Sequence, residues 1–222
     1  MRTINTAIIA LMFFSFIGCG NDDTSSRQSA ESQTTVSTPK VDLHSAVVTD
    51  DLESIHQHIK AGSDLNVLEP SRASTPLITA AFMGKAEAAR ILIAAGADLN
   101  YQNADGSTAL HTAAAFGKTE VAEILIAAGA DLNRQNNYGS TPLHTAAFLC
   151  RVVIVDTLLK KGADKTLKNK SGQTAFETVE LPFENVIAAY DAIGASLQPL
   201  GLKLDYDYIK MTRPKIAAML QQ

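Results

Sequence analysis

Tryptophan is absent from this 222-residue chain, and cysteine occurs only twice, at Cys19 and Cys150. Neither cysteine belongs to a CxxC pair or to a Cys/His cluster of metal-ligand spacing, which excludes zinc sites of the finger or ribbon type. Nor can they form a disulfide framework, so stability has to come from packing. Aromatic residues are sparse at 6% while alanine is abundant, a balance that suits closely approaching helices rather than a sheet core with bulky fillings. The expected fold class is therefore all-α. Basic residues are few and scattered, the net charge is −4, and no lysine or arginine run interleaves with aromatics. The electrostatic footprint of a DNA- or RNA-binding surface is missing, and nucleic acid is not an expected partner.

A long apolar run is also missing. Ala7 to Gly18 is apolar after a short positive start at Arg2, but this stretch has the length of a signal-peptide core and not of a membrane span. It ends in Phe16, Ile17, Gly18, Cys19, which resembles the lipobox of bacterial lipoproteins, although Phe16 stands where that motif has leucine. The resemblance implies cleavage after residue 18, a diacylglycerol thioether on Cys19 and an exported, lipid-anchored chain in the cell envelope, facing the periplasm or held in the outer membrane. An ordinary secretory peptide would want an AxA-like site, and none is present. Residues 19–39 are rich in Ser, Thr, Gln and Asp, with too little apolar surface to offset ordering entropy, so a flexible tether is expected there.

What the chain does contain is a repeat of 33 residues. Ser74 to Gly106 reads STPLITAAFMGKAEAARILIAAGADLNYQNADG, Ser107 to Gly139 reads STALHTAAAFGKTEVAEILIAAGADLNRQNNYG, and Ser140 to Gly172 reads STPLHTAAFLCRVVIVDTLLKKGADKTLKNKSG. A divergent unit precedes them over 40–73, with one extra residue in the Val67 to Ala73 loop, and a degraded one follows over 173–205. In each unit Thr75, Thr108 or Thr141 can cap a first helix, with Pro76 or Pro142 at its first position. A second helix carries apolar residues at helical spacing, as in Val121, Ile124, Leu125 and Ala128, and stops at Gly96, Gly129 or Gly162. A turn rich in Asn, Asp and Gly follows, and every glycine is read as a turn or a helix end. One such helix pair cannot enclose its own apolar face, whereas stacked copies bury a continuous core.

These residues resemble the ankyrin repeat, through TPLHxAA, the glycine between helices and GADxN. The resemblance implies an all-α solenoid of about five helix-turn-helix units with hairpin-like loops, spanning 40–222. Past the fifth unit, Tyr206 to Leu220 read as two short closing helices, the second capped by Thr212. The family displays a concave face made of finger tips and the exposed side of the first helices. Carried over to this chain, that face offers Gln102, Ala104, Asp105, Gln135, Asn137 and Tyr138 from the fingers, and Phe82, Met83, Phe116, Phe148 and Leu149 from the helices. Phe116 has packing between repeats as a second reading. Tyr138 is the first choice, because a finger tip has little other use for a tyrosine.

Other residues invite sharper readings that the repeat explains better. His44, His111 and His144 recur at unit intervals, but Ile78 fills the same position in the second unit and unit spacing exceeds the sphere of one ion. Capping and inter-repeat hydrogen bonding are expected of them, and no metal. His56 and His58 read as surface residues. Asp98, Asp131 and Asp164 share one phase of the repeat and read as loop-stabilising carboxylates. No catalytic constellation and no phosphate loop stands apart from the repeat, so neither catalytic residues nor cofactors are expected. Cys150 replaces the inter-helix glycine seen at Gly84 and Gly117, and the apolar cluster Phe148, Leu149, Cys150, Val152, Val153 has two readings. It repacks against the fifth unit near Leu181 and Phe183, or it forms a partner patch. If the backbone at Cys150 is left-handed, Cys150→Gly is expected to raise thermal stability. Together these readings predict a monomeric, lipid-tethered binding or scaffold module that recruits a protein partner; an inhibitor or immunity protein acting on an envelope toxin or enzyme is the alternative.

Overall fold

The computed structural model describes residues 39–222. The expected leader 1–18, the lipid-bearing Cys19 and the tether as far as residue 38 lie outside the described residues. Eleven α-helices and no strand occupy the described residues. Four pairs come first: α1 (Leu43–Thr49) with α2 (Leu52–Lys60), α3 (Pro76–Met83) with α4 (Ala86–Ala94), α5 (Ala109–Phe116) with α6 (Thr119–Ala127), and α7 (Pro142–Phe148) with α8 (Val152–Lys160). First helices pack on first helices, and second helices on second helices, along the stack.

Local chemistry sets each boundary. Asp42, Thr75, Thr108 and Thr141 accept a hydrogen bond from the backbone N–H three residues on, which satisfies one of the orphan donors of each first helix. Each second helix of the three regular units closes with Gly96, Gly129 or Gly162 in the left-handed region, while Ala97, Ala130 or Ala163 donates back to Leu92, Leu125 or Leu158. Ala128, expected on the apolar face, is instead the exposed residue that caps α6; Ala122 and Ile126 are buried with Val121, Ile124 and Leu125.

The core runs between units. Leu77, Leu110 and Leu143 of the first helices and Leu92, Leu125 and Leu158 of the second helices are completely buried. Burying a leucine contributes about 2 kcal/mol relative to exposure, so each leucine row holds neighbouring units together. Alanines Ala80, Ala81, Ala113, Ala114, Ala146 and Ala147 lie fully buried between the helices, where anything larger would force them apart.

The fifth unit departs from the expected 173–205 span. Its first helix is the short α9 (Glu177–Glu180), which packs on α7 and stops where Leu181 turns extended before Pro182. The helix that packs on α8 and α9 is α11 (Tyr206–Gln221). Residues 181–205 therefore form an insertion between the two helices of the fifth unit. It holds two 3-10 turns, Phe183–Asn185 and Gln198–Leu200, around α10 (Ile187–Leu197). Gly194 lies inside α10, so the reading of every glycine as a turn or helix end fails there.

The two closing helices expected over Tyr206 to Leu220, the second capped by Thr212, are one continuous helix. Asp205 caps it, accepting from the Tyr208 N–H at 3.0 Å, and Thr212 is buried inside it. Ile209 on one side of Pro214 and Ile216 and Leu220 on the other are all buried, so packing fastens the helix across the missing N–H. Among the described residues, no helix is long and apolar enough to cross a membrane.

Candidate partner-binding surface

The finger loops are tied to one another by hydrogen bonds that repeat with the units. Ala104 N–H donates to Arg72 O, Asn137 N–H to Asp105 O and Lys170 N–H to Tyr138 O, at 2.9–3.0 Å. Gln102 Nε2 donates to Gly106 O and Gln135 O, and Gln135 Nε2 to Gly139 O and Lys168 O. Asn137 Nδ2 donates to Ala104 O at 2.9 Å, and Asp105 pairs with Arg72. Four of the finger residues predicted to meet a partner, Gln102, Asp105, Gln135 and Asn137, thus spend polar groups on holding neighbouring fingers in register. Ala104 is exposed without such a role for its side chain, and Tyr138 stands 69% exposed at its tip.

On the helices, Phe82 and Phe116 meet edge-to-face at 4.7 Å, joining the second and third units, and both remain half-buried. That bears on the second reading of Phe116, packing between repeats. Met83 is 38% exposed. Phe148 and Leu149 must be corrected. Leu149 is buried, and Phe148 stacks against Tyr190 of α10 at 4.3 Å, in a small second core with Cys150, Ile209 and Phe183. The insertion covers this part of the fourth unit because Phe148 and Cys150 offer apolar surface that a fifth first helix of only four residues leaves open. Of the residues named for the repacking reading, Phe183 joins that core while Leu181 is 45% exposed, as is Val153 at 53%.

Two of the histidines, His111 and His144, act as caps. His111 Nδ1 accepts from Thr108 N–H at 3.2 Å while Nε2 donates to Ser140 O at 2.9 Å, and His144 repeats this with Thr141 and Gln173. Burial pushes His111 down to about 4 and His144 also below its ordinary value, so both are neutral at pH 7. His44 bridges Thr79 and Val67 O. His56 is exposed, whereas His58 is half-buried and donates to Val41 O at 2.7 Å, so it fastens the start of the domain and is not a simple surface residue. Asp98, Asp131 and Asp164 each accept from the N–H two residues on, and Asn66, Asn100 and Asn133 reach across to the N–H of the following unit's aspartate. Among the described residues no cluster of His, Cys, Asp and Glu has the geometry to hold a metal ion.

Two features escaped the reading of the sequence. Lys118 lies across Gly84 and Arg151 across Gly117, each covering the preceding unit's inter-helix turn, while Lys85 pairs with Asp50 at 3.4 Å. The signal was present as Lys85, Lys118 and Arg151 in one phase of the repeat. The second is Arg213, only 2% exposed, which donates to Thr178 O and Leu181 O at the end of α9 and to the Tyr190 hydroxyl. Nothing in the repeat register marks it. A cleft of about 450 Å³ lies beside it, lined by Phe176, Val179, Pro182, Lys210 and Pro214 among others, where Glu184 is bonded to Lys210 at 2.7 Å.

The stacked pairs, the tied fingers and the Thr–His caps agree with an independent match: the family model for ankyrin repeats (3 copies) fits residues 43–136 and 96–169. The chain belongs to the ankyrin-repeat family. No curated protein matches it. Ankyrin repeats generally mediate protein–protein interaction, and their proteins are usually non-enzymatic, so at this level the chain is an ankyrin-repeat binding module. In this ankyrin array the candidate residues with exposed side chains are Tyr138, Ala104 and Met83, while Phe82 and Phe116 are half-buried against each other.

Proposed function

We propose that this chain is a lipid-tethered scaffold of the bacterial cell envelope, without catalytic activity, that recruits a protein partner through the concave face of its ankyrin array. The observation that carries the docking surface is Tyr138: a large amphipathic ring standing free on a finger whose neighbours are all bonded in place. A rigid mount lowers the ordering entropy that binding costs, and tyrosine supplies contact area with few rotatable bonds. Met83, Phe82 and Phe116 add an apolar floor of the kind that interfaces favour. The anchor is supported by the lipobox-like Phe16 to Cys19 and the polar stretch behind it, which suit a folded head held off a membrane surface.

Site-specific photo-crosslinking in envelope preparations tests the surface. A probe at Tyr138 or Met83 is expected to capture one and the same protein, while a probe at Glu123 on the exposed side of α6 captures none. Equal capture from all three positions would reject the concave-face reading. For the anchor, Cys19→Ser is expected to abolish lipid labelling and move the chain to the soluble fraction, and unchanged membrane fractionation would reject it. If the captured partner is a toxin or enzyme that loses activity on binding, the module acts as its inhibitor.

A further inference from the structure

The insertion 181–205 is held to the array in an unequal way. Of the eleven residues of α10, Tyr190 alone is buried. Most of its other faces, including Ala188, Ala189, Asp191, Ala192, Ala195 and Ser196, are exposed, and only Ile187, Ile193, Gly194 and Leu197 are half-buried. α11, by contrast, buries Ile209, Thr212, Arg213, Ile216 and Leu220. The single deep contact of α10 is chemically specific. The Tyr190 ring stacks on Phe148 at 4.3 Å, its hydroxyl donates to Phe148 O at 2.6 Å, and Arg213 Nη1 donates to that hydroxyl at 2.9 Å. The same guanidinium lies 5.8 Å from the ring centroid. The same ring packs with Cys150 and Ile209, and one exposed hydrogen bond ties a second residue of the helix, from the Tyr206 hydroxyl to Asp191 at 2.6 Å.

Without Tyr190, Phe148, Arg213 and the Phe148 carbonyl would form a socket with an aromatic wall, a cationic donor and a neutral acceptor. That combination matches a phenol: a flat ring that both donates and accepts one hydrogen bond at its far end. A phenylalanine ring would leave both polar groups unmet, and a carboxylate would oppose the Phe148 carbonyl.

We infer that α10 is a releasable strap, whose Tyr190 occupies in cis a phenol-recognising socket on the first-helix side of the fourth unit, and that a partner segment presenting a tyrosine displaces it. Release uncovers Phe148, which lies in line with Phe82 in the repeat and extends the face toward the C-terminal end. An isolated helix as short as α10 is marginal in water, so the strap loses its helix when it lets go and its amides report the event. That the released surface then serves docking rests on the concave-face reading; the release itself does not.

Hydrogen exchange on the full chain tests this without any partner, with p-cresol as the tyrosine mimic and toluene as the ring without the hydroxyl. Amides of α10 are expected to exchange at least ~100-fold faster than those of α5 and α7, because they open separately from the array. Millimolar p-cresol is expected to accelerate α10 by a further factor on the order of 10 by capturing the open state, with α5 and α7 unchanged and toluene much weaker. Tyr190→Phe, which keeps the stack and loses both hydroxyl bonds, is expected to speed α10 exchange roughly 10-fold while sparing the repeats. Exchange of α10 in step with α5 and α7 would overturn the strap. Equal effects of p-cresol and toluene, or no effect of Tyr190→Phe, would overturn the socket. Failure of crosslinking at Tyr138 leaves all three readouts standing, so the two readings fail separately.

Discussion

Cys150 turns the backbone left-handed at φ 56°, the conformation that Gly117 takes at φ 63° one unit earlier. The position demands that turn because the chain reverses there between the two helices of a unit. In the first unit Asp50 does the same at φ 61° and gains a pairing with Lys85 in return. Cys150 has no such ion pair to offset the turn. It is sealed by Ile209 and Tyr190 instead, and burial raises its thiol to about 11, which keeps it protonated and unreactive.

The left-handed backbone at Cys150 was the condition under which Cys150→Gly should stabilise, yet the burial reverses the sign. Relief of the turn contributes about 1 kcal/mol. Removing a fully buried thiomethyl group costs about 2 kcal/mol in lost burial and residual cavity. The variant is expected to lose about 1 kcal/mol, a fall of roughly 3 °C in melting temperature by calorimetry. A rise would show that the second core contributes little.

Ala73 offers the cleaner case. Its φ is 51°, and the equivalent residues Gly106, Gly139 and Gly172 are all glycine. Ala73 is half-buried and has only a methyl to lose, so Ala73→Gly is expected to stabilise by about 0.5–1 kcal/mol in urea unfolding. Gly139→Ala runs the other way: its Cβ would stand 2.7 Å from the backbone N of Lys170, so a tied finger has to move. The expected loss is about 2 kcal/mol or more.

Glu69 explains how the first finger tolerates its extra residue. In the regular units Asn103, Asn136 and Asn169 accept from the N–H groups two and four residues on. Glu69, one methylene longer, reaches the N–H groups of Ser71, Arg72 and Ser74. Burial pushes this carboxyl up, but the bonds from Ser71, Arg72 and Ser74 together outweigh it and hold it at about 2.

How far these arrangements could be read in advance follows from what each depends on. Thr75, Thr108 and Thr141, the leucine rows and the closing glycines act within one unit or on the next copy of it, so the repeat itself displays them. The role of Glu69 needed the loop geometry, since a glutamate standing in for asparagine carries no signature. Phe148 reads as available in the sequence because its cover comes from Tyr190, far along the chain and outside the repeat. Thr212 and Pro214 pointed to a break in α11 by local propensity, and buried contacts on both sides of the proline overrode it. Gln102 and Gln135 fall on the finger face by their phase in the repeat, but their amides are engaged with neighbouring fingers, which phase alone does not show.

Acid should weaken the array through its buried imidazoles. In the unfolded chain a histidine titrates near 6.5, whereas His111 is held at about 4 in the fold. Between these values the unfolded state binds a proton that the folded state refuses. Stability is therefore complete above pH 6.5 and is lost as pH falls toward 4, by up to about 3 kcal/mol for His111, with His144 acting in the same direction. Urea midpoints measured from pH 7.5 to 4 check this. His111→Ile, which copies the buried Ile78 of the second unit, is expected to flatten the slope in that window whatever it does to stability at neutral pH. The Glu69 contribution is separate, since a depressed carboxyl loses its stabilisation only as pH falls from about 4.5 toward 2.

The last prediction separates residues that hold the fingers from those that face outward. Gln135 Nε2 donates to Gly139 O at 2.8 Å and to Lys168 O at 2.9 Å, joining the turn of its own finger to the next. Truncation removes both bonds, and Gln135→Ala is expected to cost about 1–2 kcal/mol in urea unfolding. Tyr138 is 69% exposed, and its ring contributes little to folding, so Tyr138→Ala should change stability by no more than about 0.5 kcal/mol. In partner capture the order inverts. Tyr138→Ala is expected to weaken binding at least ~10-fold, as loss of a tyrosine anchor does, while retaining its folded-state exchange pattern. A Tyr138→Ala chain that bound normally but melted early would make the tyrosine a structural residue and leave the concave face without its anchor.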